Sequence, residues 1–182
     1  MSPAGRAGQV DLRALVREIP DFPRAGIGFK DITPLLADPA ALDAAVKGLA
    51  ELARPLDAEV VIGAEARGFL LGTALARELG AGFVLARKPG KLPYTTVRAE
   101  YLLEYGTDAL ELHSDAVHPG TRVLVHDDLL ATGGTARALV ELVEQLDADV
   151  VGCVFLIELS FLPGRERLGG HEVRALVRYD EE

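Results

Sequence analysis

The stretch 123-VLVHDDLLATGGTARA-138 decides how this chain folds. Val123, Leu124 and Val125 form an apolar run ending in His126 and two adjacent acids, Asp127 and Asp128. A Thr-Gly-Gly-Thr turn follows, and renewed apolar spacing predicts a helix over 134–146. Gly133 and Gly134 permit a tight turn with converging amides, and Thr132 and Thr135 add hydroxyls. The helix directs its positive end at the same spot, which suits a phosphate dianion. A nucleotide-hydrolase loop is excluded, because no Gly-x-x-x-x-Gly-Lys-Ser/Thr occurs in the chain.

The acid pair beside an anion site is the unusual element. Such a pair is repulsive unless a hydroxylated ligand or a metal lies between it and the anion. Vicinal hydroxyls of a sugar phosphate answer that requirement, since carboxylates accept their hydrogen bonds.

Outward from this unit, strands alternate with helices. Strands are expected at 59-EVVIGA-64, 82-GFVLAR-87, 122-RVLVHDD-128, 150-VVGCVFLI-157 and 172-EVRALV-177, with helices over 38–53 and 68–79. Leu12, Leu15, Val16 and Ile19 recur at helical spacing between Asp11 and Pro20, which predicts another helix. The proline-rich run 20-PDFPRAGIGFKDITP-34 reads as a loop. This alternation implies an α/β fold with a mostly parallel sheet covered on both faces, in a single domain over 1–182. One element breaks the rhythm: 99-AEYLLEY-105 and 109-ALELHS-114 resemble a hairpin turned at Gly106, a candidate lid.

In such sheets ligands bind beyond the carboxyl ends of the strands. The loops 63-GAEARG-68 and 87-RKPGK-91 leave such ends, so Arg67, Arg87, Lys88 and Lys91 are candidates for a second anion. His126 is turned away from Asp127 by strand alternation and reads as a packed histidine. His113, His118 and His171 show no metal-ligand spacing.

Composition narrows the classes. The chain has 182 residues, 49% of them hydrophobic, with a formal net charge of −9. That balance argues against a nucleic-acid scaffold or a membrane-surface protein. Cys153 is the sole cysteine, so no internal disulfide exists, and its apolar neighbours predict an inert thiol. No apolar run reaches membrane-spanning length, and a cytoplasmic location is expected.

The run 123-VLVHDDLLATGGT-135 resembles the diphosphate-binding signature of type I phosphoribosyltransferases. The runs 21-DFPRAGIGFKDITPLLADP-39, 63-GAEARGFLLG-72, 86-ARKPGKLPY-94 and 100-EYLLEYGTDALELH-113 are similar to the adenine-specific family, in one register over about residues 15–162. That resemblance implies the type I phosphoribosyltransferase fold with a hood over about 11–36 and a flexible lid over about 90–108. It also implies purine salvage: adenine and 5-phosphoribosyl 1-diphosphate give AMP and pyrophosphate, with Mg²⁺ carried on substrate oxygens and no direct protein ligand.

By the same resemblance, Ala131, Thr132, Gly133, Gly134 and Thr135 hold the 5′-phosphate, and Asp127 and Asp128 face the ribose. Arg67, Arg87, Lys88 and Lys91 hold the pyrophosphate, with Arg87 reaching toward a partner subunit's site in a homodimer. Glu100 is the lid carboxylate, catalytic together with Arg67, and Gly28, Phe29, Lys30 and Leu159 line the adenine pocket. The sequence departs from the family pattern at His126, where valine is usual, and at Lys30, where arginine is common. After about Pro163 the match is loose. The alternatives are a guanine, hypoxanthine or xanthine transferase of the same fold, or a regulator that senses the diphosphate without turnover.

Overall fold

A computed structural model describes residues 10–103 and 106–181. The chain forms two compact units, Met1–Ala45 and Val46–Glu182. In the first, β1 (Arg17–Ile19) pairs antiparallel with β2 (Phe29–Asp31), and the short helix α1 (Thr33–Ala37) follows. Residues 11–36, for which a hood is expected, lie in this unit. Helix α2 (Pro39–Ala53) runs out of this unit into the second, opened by Asp38, whose carboxylate caps the amides of Ala40 and Ala41.

The helix expected between Asp11 and Pro20 is absent. Asp11 does act as a cap, accepting from the amides of Arg13 and Ala14, but it supports only a single 3-10 turn, Arg13–Leu15. The chain then extends, and Glu18 lies opposite Lys30 with their charged ends 2.9 Å apart. A helical apolar stripe of four residues is weak beside ladder bonds and a buried lysine's ion pair, so tertiary pairing prevails. The segment read as loop over 20–34 likewise contains β2 and the start of α1.

In the second unit, five strands form one parallel sheet. They are β3 (Val60–Ala64), β4 (Gly82–Ala86), β7 (Arg122–Leu130), β8 (Asp149–Leu159) and β9 (Val173–Tyr179), in the order β4-β3-β7-β8-β9. Helix α3 (Arg67–Leu79) packs on β3 and β7, and α4 (Gly134–Glu144) packs on β7 and β8. Strand alternation separates the two packing layers. Ile62, Val123, Val125 and Phe155 join Leu139 and Val143 of α4 in the main cluster, while Val61, Leu124, Leu71 and Leu75 are also fully buried. Cys153 is buried in the main cluster, and burial pushes its thiol up to about 12, so it is inert. Among the described residues no helix is long and apolar enough to cross a membrane.

The foreign element is a hairpin, β5 (Thr96–Leu103) with β6 (Gly106–His113). Gly106 opens β6 opposite Leu103 rather than forming the turn. The base of the hairpin is fixed, since Arg87 and Glu111 exchange both backbone hydrogen bonds, at 2.9 and 2.7 Å. Its inner face (Val97, Ala99, Tyr101) packs into the main cluster.

A side chain is excluded at Gly63, where an added Cβ would stand 2.8 Å from the Gly68 carbonyl oxygen. This contact sets the approach of α3 to β3. Gly63→Ala should therefore destabilise the fold by about 1–3 kcal/mol, the usual cost of overpacking. Calorimetry should read this as a melting temperature lower by about 2–4 °C per kcal/mol.

Candidate functional site

Three neighbouring strands of the sheet, β4, β3 and β7, end at the same edge, and their loops carry the predicted anion-binding residues. β7 runs further than expected, through Asp127 and Asp128 to Leu130, before the loop reaches α4. The first amides of a helix have no partners within it, so the start of α4 offers donors to an anion. Gly133 precedes it with φ of +82°, a conformation that favours glycine. A Cβ there would also lie 2.7 Å from the Gly164 carbonyl oxygen.

That second contact involves a part of the chain whose role the sequence did not reveal. Gly164 opens α5 (Gly164–Arg167), and a Cβ on it would overlap the Ala131 carbonyl oxygen. Arg165 anchors this helix to the sheet. Its guanidinium makes a two-pronged pair with the buried Glu158, at 2.9 and 2.7 Å, and donates to the Val173 carbonyl at 2.8 Å. Residues beyond Pro163 thus buttress the loop from behind. The only sequence signal was a glycine beside an arginine, with an acid at the end of β8.

Asp128 is buried and Asp127 is half-buried. Burial pushes the Asp127 carboxyl well above the ordinary carboxylate value, and the charge of Asp128 pushes it further. Burial also raises Asp128, opposed chiefly by Arg67, whose Nε lies 3.3 Å from Asp128 Oδ2. Asp127 Oδ1 accepts from the Asp128 amide at 2.9 Å, whereas Asp128 Oδ2 has no hydrogen-bond partner. An underused buried carboxylate oxygen suits hydroxyl donors or a hard cation delivered with a ligand. Among the described residues no group of three or more His, Cys, Asp or Glu is arranged to hold a metal ion.

The basic residues are held by acids. Glu65 accepts from the Lys88 amide at 2.8 Å and from Arg87 Nε at 3.2 Å. The Lys88 amide bond lowers the Glu65 carboxyl below its usual value, with Arg87 and Lys91 adding to the effect despite desolvation. Arg87 also donates to the Lys91 carbonyl at 3.4 Å, so its guanidinium is engaged within its own chain. Lys88 Nζ reaches Asp108 on β6 at 3.0 Å. No sequence motif marks Glu65, Asp108 or Tyr101; Glu65 lies between the small residues of 63-GAEARG-68, two positions before the more conspicuous Arg67.

Glu100 has a different setting. It lies with Arg98 on the exposed side of β5, 3.0 Å from the Arg98 guanidinium, while Tyr101 points inward toward Thr135 and Asp108. In the first unit, Phe29 packs edge-on against Phe22 with ring centroids 5.1 Å apart. Lys30 is buried and ion-paired with Glu18, and a Cβ on Gly28 would stand 3.2 Å from a Glu18 carboxylate oxygen. In the second unit, Leu159 is buried at the end of β8. His126 is a core residue: it is fully buried, its Nδ1 lies 2.9 Å from the Val154 carbonyl oxygen, and burial lowers its pKa to about 4.

The family described as "Phosphoribosyl transferase domain" matches residues 37–168. The adenine phosphoribosyltransferase of Rubrobacter xylanophilus is 58% identical over 171 residues, covering 93% of this chain and 92% of that protein. The chain belongs to the adenine phosphoribosyltransferase family. Its fold agrees with solved members. The enzyme from Thermoanaerobacter pseudethanolicus superposes with a TM-score of 0.91 at 50% identity, covering 92% of this chain and 98% of that one. A Giardia lamblia member, crystallised with 9-deazaadenine, gives 0.89 at 39% identity, with coverage of 94% and 97%.

The acid pair makes a stability prediction. A carboxyl whose folded pKa is raised supports the fold while protonated, and this support is lost as pH rises through the folded value. At pH 8 the pair is therefore a cost. Asp127→Asn keeps the oxygen that accepts from the Asp128 amide and removes one charge. Its melting temperature should exceed that of the parent by about 2–4 °C at pH 8 if about 1 kcal/mol of repulsion is relieved. The gain should shrink as pH falls toward the ordinary carboxylate range. A pH series of thermal melts checks both the sign and the window.

Proposed function

We propose that the chain carries out purine salvage, transferring the 5-phosphoribosyl group from 5-phosphoribosyl 1-diphosphate to adenine, with AMP and pyrophosphate as products. The observation that carries this reading is the acid pair near the end of β7, with the loop to α4 just beyond Leu130 and Arg67 paired with Asp128. Close identity to curated adenine phosphoribosyltransferases specifies the base.

In this reading the amides and hydroxyls of Ala131–Thr135 receive the 5′-phosphate, and Asp127 and Asp128 accept from the ribose hydroxyls. Arg67, Lys88, Lys91 and Arg87 receive the diphosphate, and Arg87 must leave Glu65 if it serves a partner subunit. The C1′–O bond breaks with its electron pair leaving on pyrophosphate, and the anomeric carbon gains oxocarbenium character. N9 of adenine supplies the pair that forms the new bond from the opposite face, and its proton is lost to a base. Two anion grips and a ribose cradle would hold this geometry, and preorganisation of this kind is where such sites gain most of their rate. Mg²⁺ carried on the diphosphate oxygens would neutralise charge on the leaving group.

In the first unit, Gly28, Phe29 and Lys30 are proposed to receive adenine, with the Gly28 carbonyl and the Lys30 amide reading the N6 donor and N1 acceptor. Guanine and hypoxanthine reverse that pattern at the corresponding edge. A catalytic role for Glu100 as proton acceptor at the purine requires the outer face of β5 to be brought over the base.

A homodimer belongs to the same proposal. Leu70 on α3 and Leu85 on the edge strand β4 are large exposed apolar residues that a second copy would cover. A cytoplasmic location accords with a lone buried thiol and no disulfide.

The test is AMP, GMP and IMP formation from each purine with 5-phosphoribosyl 1-diphosphate and Mg²⁺. Adenine should be preferred by about 10⁴-fold, the range set by two mismatched buried polar pairs. Guanine turnover within tenfold of adenine would overturn the base assignment. Glu100→Ala should lower kcat with little change in KM for the diphosphate. A near-normal kcat would remove Glu100 from the chemistry. Lys30→Arg tests a separate point: its buried ammonium is paired with Glu18, so the larger guanidinium should destabilise the first unit.

A further inference from the structure

Asp108 and Tyr101 face each other across the hairpin, as directly opposed residues of β6 and β5. The phenol donates to Asp108 Oδ2 at 3.2 Å, and Lys88 Nζ donates to the same oxygen at 3.0 Å. Asp108 Oδ1 is also engaged, accepting from the Ala109 amide at 2.9 Å. Tyr101 in turn interacts with the Thr135 hydroxyl and senses the charge of Asp127. A polar chain therefore runs from Lys88 through Asp108 to Tyr101, beside Thr135.

This arrangement is unusual in its sign. A carboxylate placed beside the residues that receive a highly charged anion repels that anion, so its presence calls for a compensating role. Lysine has a long flexible stem, and its ammonium has three donors, of which Asp108 takes one. We propose that Asp108 is a positioning residue for the diphosphate: its carboxylate, fixed by Tyr101 and Ala109, holds the Lys88 ammonium at the phosphate-loop end of the site with two donors left for the ligand. The proposal rests on the assignment of Lys88 to the pyrophosphate.

Charges follow the same geometry. Burial works against ionisation of Asp108, but the hydrogen bond from Lys88 and the Ala109 amide hold its carboxyl below the usual value. Burial raises the Tyr101 phenol and the charge of Asp108 raises it further, so it remains a donor at neutral pH. Asp108 thus stays an acceptor for both neighbours throughout the pH range of an ordinary assay.

Two substitutions separate positioning from plain charge. Asp108→Ala removes the tether and the repulsion together, whereas Asp108→Asn keeps an acceptor oxygen and removes only the charge. Positioning predicts that Asp108→Ala weakens binding of 5-phosphoribosyl 1-diphosphate with Mg²⁺ by roughly tenfold, a modest share of what misplaced groups can cost. Asp108→Asn should bind as well as the parent or better, and kcat should change less than KM in both variants. Calorimetric titration and steady-state kinetics read these quantities, with thermal melts confirming that each variant is folded.

If Asp108→Ala binds more tightly than the parent, Asp108 is only a repelling charge and the proposal is wrong. Lys88→Ala separates the inference from the reading beneath it. Unchanged binding in Lys88→Ala would remove Lys88 from the pyrophosphate site. Weakened binding in Lys88→Ala, with Asp108→Ala adding its full tenfold on top, would leave that reading intact and overturn action through Lys88. The expected double variant is no weaker than Lys88→Ala alone.

Discussion

The constraint on which the site depends is electrostatic: two consecutive carboxylates occupy the end of a strand buried on both faces. Neither gains enough from the protein alone. Arg67 offsets part of the cost at Asp128, and one carboxylate oxygen goes without a hydrogen-bond partner. Strand β8 orders these residues, because β7 stays paired with β8 past Asp127 while its pairing with β3 ends at His126. In the proposed reading, a ligand's vicinal hydroxyls complete hydrogen bonds that folding leaves unmade. Functional sites commonly hold this kind of local conflict, with stability supplied by the surrounding core.

The basic side of the site solves a related problem. The whole chain carries a formal net charge of −9, yet the proposed site would receive a phosphate and a diphosphate. The cations are gathered at one sheet edge and individually restrained by Glu65 and Asp108. Restraint by acids limits mutual repulsion between Arg87 and Lys88 before a ligand arrives. It also limits the side-chain freedom lost on binding, which is largest for lysine and arginine. The anion grip is thus a framework of paired charges and not a bare basic patch.

Much of this was legible in the sequence, for identifiable reasons. The parallel sheet followed from apolar runs separated by helical spacing, and every strand expected there exists within a few residues. The turn before α4 was legible because glycine at a positive φ and a following helix leave a local signature. The helix expected after Asp11 failed because its apolar spacing was short and the Glu18–Lys30 ion pair across β1 and β2 could not be seen in one dimension. Gly106 drew the turn toward itself, although it is the first residue of β6. The supporting acids Glu65, Asp108 and Glu158 escaped notice for a common reason. Each acts on a residue distant in sequence or on another strand, and nothing in its immediate neighbours marks it.

The buried, inert thiol of Cys153 has a practical consequence. Because it is the sole cysteine of the chain, the native surface offers nothing to a maleimide or a spin label. A cysteine introduced at the exposed Thr107, on the hairpin, would be the single accessible attachment point. The protein is thus ready for site-specific spectroscopy, in which a fluorophore or nitroxide reports directly on how the hairpin responds as ligands enter and leave.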